Sequence, residues 1–202
     1  MMTSIGRNEL CEQPAGQALI QLVVVNEFAK QVSENAIQVN LMAINAMLAS
    51  RQAVRGNSGF QVVSQELRSL SGRLDTVMHD LEDKVTDSVH AVSNFIRHRH
   101  RLAILGRISV SRHERMDRLI LLKLEESHCD QTEIDVKRSE LRLVAHRAMR
   151  LCVTGTALAV NARIEALQAG CMAGKLDQVA DRVATAMTET RHVLKQIEKL
   201  LE

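Results

Sequence analysis

The chain has 202 residues, 46% apolar and 25% charged, with one proline, three phenylalanines, no tryptophan or tyrosine, and a formal net charge of +2. Rounded cores use aromatic rings to fill irregular volume, whereas long helices close-pack with leucine, valine, isoleucine, alanine and methionine alone, so this composition points to an all-α bundle. A net charge so near zero selects no partner class.

Residues 1–14 end at the one proline and are polar and irregular, which reads as a disordered tail. They lack the apolar centre of a secretory signal. From Ala15 the pattern is helical. Ala18–Val25 ("ALIQLVVV") is too short, and too interrupted by Gln21, to reach the roughly 18 residues of a membrane span. The chain therefore reads as cytoplasmic, without a membrane span. Ile37, Leu41, Ile44 and Leu48 alternate spacings of four and three, and after a turn near 54–59 the same rule resumes with Phe60, Val63, Leu67, Leu70, Leu74, Val77 and Leu81. Such spacing is a heptad seam, and the two arms with a short glycine-containing turn predict a helical hairpin over about 15–105.

The outgoing arm, Phe60 to Leu105, spans about 65 to 70 Å as a helix, and Gly106 offers a reversal point. Its return carries Ile120, Leu124, Ile134, Leu141, Val144, Ala148 and Leu151. Glu125–Asp135 ("EESHCDQTEID") is polar enough to interrupt that helix. A second hairpin, about 107–202, turns near 170–174. "AINAMLASRQA" (Ala43–Ala53) aligns without gaps on "AVNARIEALQA" (Ala159–Ala169), a displacement of 116 positions, and the register persists from Phe60, Val63 and Leu67 onto Leu176, Val179 and Val183. Asn45/Asn161 and Gln52/Gln168 are shared beyond what apolar spacing demands, so the hairpins read as a duplication. The predicted fold is an elongated antiparallel four-helix bundle or coiled coil of two tandem hairpins in one domain, 15–202, closing within one chain or across a homodimer.

Other features carry less chemistry. Cys11, Cys129, Cys152 and Cys171 lie far apart without CxxC spacing and read as reduced, packed thiols. Arg97–Arg118 holds seven arginines and three histidines. Without stacking aromatics it reads as a solvated helix end with local salt bridges rather than a nucleic-acid site. His98, His100, His113, His128 and Cys129 are not spaced on one helical face as metal ligands would be. No metal, cofactor or paired catalytic groups are expected, so the chain is not read as an enzyme.

In the first hairpin, Asn40, Leu41, Ala43, Asn45, Ala46, Ala53, Gly59, Phe60, Val62, Val63, Glu66, Arg68, Leu70 and Arg73 form a pattern that heptad packing alone does not dictate. With these residues the hairpin resembles the cytoplasmic signalling tip of methyl-accepting chemotaxis receptors. Asn161, Ala162, Ile164, Glu165, Ala166, Ala169, Gly170, Val179 and Ala180 carry the resemblance more thinly in the second. It implies a bundle of two hairpins whose tip binds a histidine kinase and its coupling adaptor, or other receptor tips. The implied partner-binding residues are Asn40, Asn45, Gly59, Phe60, Val62, Glu66 and Arg68 in the first tip, and Asn161, Glu165, Gly170 and Val179 in the second. Receptors of this family are methylated on Glu or Gln pairs, for which Glu12-Gln13 and Glu125-Glu126 are the candidates here. Two acidic positions and an arginine of the family tip are replaced by Ala49, Arg55 and Gln52. The implied function is a chemoreceptor-like signalling protein without a sensory domain; the alternative is a helical scaffold that kept the hairpins and lost kinase coupling.

Overall fold

The computed structural model of the chain describes residues 6–52, 58–108, 114–167 and 173–202, with side chains within 16–48, 59–105, 118–167 and 173–202. It is all-α. Four helices pack against one another: α1 (Gly6–Gln52), α2 (Ser58–Ile108), α3 (Glu114–Leu167) and α4 (Ala173–Leu200). Most of the residues predicted to turn, near 54–59 and 170–174, lie outside the described residues.

Three boundaries differ from expectation. α1 begins at Gly6 and runs through Pro14, where a tail was expected, since one proline removes a single backbone hydrogen bond from a long helix. α2 continues through Gly106, because glycine lowers helix propensity without forbidding it. α3 is unbroken through Glu125–Asp135, whose polar residues are simply solvated.

The helices form two compact units. One combines α1 up to Val25 with Asp83–Leu141, hence three helical segments; the other combines Asn26–Glu82 with Arg142–Glu202, hence four. In the three-segment unit Lys84 and Lys137 of α2 and α3 reach Glu140 and Asp87 at 3.3 and 3.6 Å. His98 Nδ1 lies 2.6 Å from the Asp130 carboxylate. In the four-segment unit α2 and α3 run antiparallel: Gly59 lies against Glu165, Leu70 against Gly155, and Asp80 within 4.0 Å of Arg147. α3 and α4 do likewise, with Arg163 at 3.7 Å from Asp177 and His146 at 3.3 Å from Glu198. Asn35 of α1 donates to the Thr190 hydroxyl of α4 at 3.2 Å, a polar tie between half-buried and buried groups.

The core is asymmetric in side-chain size. α2 contributes Phe60, Leu67, Leu70, Leu74, Met78 and Leu81, and α4 contributes Leu176, Met187, Leu194 and Ile197, all essentially inaccessible. Met78 takes the place expected for Val77, which is half-buried, because a straight helix drifts against a strict heptad. Facing them, α1 buries Ala29, Val32, Ala36, Val39, Ala43 and Ala46, while α3 buries Ala148, Cys152, Ala159, Ala162 and Ala166. Small residues on one helix let the bulky ones opposite fill the space between axes. Gly155 shows the limit: a methyl group there would sit 2.3 Å from Met187 Sδ and 2.8 Å from Leu70 Cδ2.

This reverses one expectation. Ile37, Leu41 and Leu48, read as the inward seam of α1, are more than half exposed, as is Leu124 on α3. α1 carries two heptad registers, and the alanine-valine one is inside because the bulky faces of α2 and α4 leave no volume for isoleucine and leucine.

Candidate functional site

Where α2 begins and α3 ends, the two predicted tips meet. Ser58 and Gly59 open α2, whose first amides have no partner within the helix and whose positive dipole end favours an anion. Glu165 supplies one. A Cβ built on Gly59 would stand 2.0 Å from Glu165 Oε2, so only a residue without a side chain admits the carboxylate here. Glu165, expected on a partner-facing surface, is thus directed at the other hairpin, and Gly59 is the seat that receives it.

The remaining tip-one residues divide between core and surface. Phe60 is completely buried and belongs to the core, not to a contact surface. Its neighbour two positions on, Val62, is 61% exposed, and Glu66, Arg68 and Asn45 are exposed as well. Asn40 is half-buried. Between α1 and α2 lies a groove of about 510 Å³ lined by Ile37, Asn40, Gln65, Arg68, Gly72 and Asp75, among others. Gly72 and the serines beside it leave the space; Ser71 turns inward and donates to the Ala36 carbonyl of α1. Next to this groove runs the outer α1 register, with Ile37, Leu41 and Leu48 at 54 to 55% exposure. The sequence reading found these residues but placed them inside; the second 3-4 register two positions away was the visible signal of ambiguity.

In the second tip Asn161 is exposed and Val179 half-buried, while Gly170 lies outside the described residues. The candidate methylation residues Glu125 and Glu126 are exposed on α3. A hydrogen bond from Lys123 Nζ at 2.5 Å holds the Glu126 carboxyl below its ordinary value. The side chains of Glu12 and Gln13 lie outside the described set. Among the described residues of the basic stretch, Arg97 donates to the Asn94 side chain at 2.6 Å, and Arg99 stands over the Phe95 ring at 5.8 Å. No group of three or more metal-ligating side chains occurs among the described residues. Cys152 is buried, and desolvation pushes its thiol up to about 11. Cys129, expected to be packed, is exposed on the outer face of α3. Among the described residues, one helical stretch, Arg118–Leu167, is apolar enough by length and composition alone to cross a membrane, a consequence of the apolar residues α3 carries on two faces.

No family model matches the chain. Methyl-accepting chemotaxis protein McpN of Pseudomonas aeruginosa is 27% identical over 185 residues, covering 83% of this chain and 33% of that protein. The chain thus spans about a third of the length of that relative. This similarity, taken with four packed helices and the tip residues above, fits a divergent signalling domain of the methyl-accepting chemotaxis receptor family.

Proposed function

We propose that the chain is a chemoreceptor-like signalling component, cytoplasmic and non-catalytic, that docks through its first tip onto the chemotaxis histidine kinase, its coupling adaptor or the tips of full receptors. The observation carrying this reading is the outward placement of Ile37, Leu41, Leu48 and Val62, with Ile37 lining the Asn40–Arg68 groove. Large aliphatic side chains held half-exposed beside an arginine are the composition of an interface, not of a solvated helix face.

Binding of purified adaptor and kinase to wild type and to a Leu41→Asp, Arg68→Ala variant tests it. At least one partner is expected to bind wild type and to lose about tenfold or more in affinity with the variant, as for a hot-spot pair. Equal binding to both proteins, or none to either, removes the proposal.

A second reading, a scaffold that kept the hairpins but lost kinase coupling, draws on a different observation. Phe60 and Glu165, two residues the family resemblance assigns to recognition, are both engaged within the bundle. Adding the protein to a reconstituted receptor-kinase assay separates the two: unchanged kinase activity at saturating protein favours the scaffold.

A further inference from the structure

A second groove, of about 420 Å³, lies between α3 and α4 in the four-segment unit, away from the face just described. α3 lines it with Leu143, His146, Arg150 and Val153, spaced three, four and three apart, and with the half-buried Met149, and α4 adds Arg191 and Lys195 one turn from each other. Leu143 and Val153 are 51% and 55% exposed. The rule that spaces the buried seams is therefore repeated on an exposed surface, and this spacing is what a partner helix reads.

The charge is the second observation. No carboxylate lines the groove. Among the described residues neither Arg150, Arg191 nor Lys195 has an ion-pair partner, while His146 meets Glu198 at 3.3 Å on the edge. The bundle does not require this basic character: at the same positions of the internal repeat the first hairpin carries Glu34 and Asp75 where the second carries Arg150 and Arg191. We propose that the α3–α4 groove docks an acidic amphipathic helix of a partner protein, its aliphatic residues against Leu143 and Val153 and its carboxylates beside Arg150, Arg191 and Lys195. Charged rims of this kind fix partner and register more than they add raw affinity.

The test uses the full chain and a fluorescent four-heptad peptide with leucine and isoleucine at its seam and glutamate at the flanking positions, followed by anisotropy. Saturable binding is expected that weakens as salt rises. It should fall about tenfold or more in Arg150→Glu, Arg191→Glu and in Val153→Asp, with the milder Arg150→Ala, Lys195→Ala pair intermediate and helical circular dichroism unchanged throughout. The Leu41→Asp variant, which removes the face proposed above, should bind the peptide as wild type does. The proposal is overturned by no binding, by equal binding of a lysine-flanked peptide, or by retained binding in the charge-reversed variant. It is equally overturned if Arg150 and Arg191 instead mediate sedimentation of the chain with anionic vesicles, or its self-association, while leaving the peptide unbound.

Discussion

α1 and α3 differ from α2 and α4 in what they do with apolar residues. α2 and α4 collect most of theirs on one face and bury them, from Phe60 to Leu81 and from Leu176 to Ile197, with Val62 and Ile104 left exposed on α2. α1 and α3 carry two apolar registers each, a small one inside (Ala36, Ala43, Ala159, Ala162) and a larger one outside (Ile37, Leu41, Val160, Ile164). One pair of helices is built to close the bundle. The other closes it and presents a second seam outward, so the same residue type has opposite meaning on neighbouring helices.

Leucine truncation should separate the two kinds of helix most sharply. Leu70→Ala, in the inaccessible α2 face, is expected to lose about 2 to 5 kcal/mol in urea unfolding. Leu41→Ala, 54% exposed on α1, should stay within about 0.5 kcal/mol of wild type. Similar losses in both would mean that the outer register is a core after all.

Enlarging the small register is the next strongest probe. Ala36→Leu introduces bulk where no surface is accessible and where the Ala36 carbonyl receives Ser71, and should cost about 1 to 3 kcal/mol. The equivalent enlargement outside, Ala157→Leu, meets solvent and should be close to neutral.

A smaller effect is expected where the tips meet. Gly59→Ala must displace the Glu165 carboxylate from the start of α2, and removing an anion from a helix amino terminus costs about 1 kcal/mol. Glu165→Ala removes the same contact, so the double variant should cost less than the sum of the two singles. Additive losses would show that the residues act separately.

The gentlest probe compares two thiols of α3, one on each register, in a Cys11→Ser, Cys171→Ser background. A maleimide at pH 8 should label exposed Cys129 at once and buried Cys152 only on unfolding. Burial raises the Cys152 thiol from 9.0 to about 11 in the folded state. The fold therefore favours the neutral thiol, and that contribution is complete below pH 9.0 and lost as the pH rises toward about 11. A Cys152→Ala chain should lack this alkaline decline.

Much of this was legible beforehand because helix type follows from local spacing. Phe60, Leu67, Leu70, Leu74 and Leu81 all point inward as their spacing implied, and the composition excluded an aromatic-filled core. Asn45, Glu66 and Arg68 could be read as surface residues because packing alone does not call for asparagine, glutamate or arginine at those places, and all three are exposed. Phe60 could not be told from a contact residue, since burial and recognition favour the same ring. Nor could Glu165, because its partner Gly59 lies in the other hairpin.

By itself, the sequence determined the all-helical class, most of the buried register of α2 and the family resemblance, since each depends on residues within a few turns of one another or on direct comparison of segments. Only tertiary structure decided which of the two registers of α1 and α3 is inside. That choice depends on the volume left by α2 and α4, a quantity that no single helix encodes.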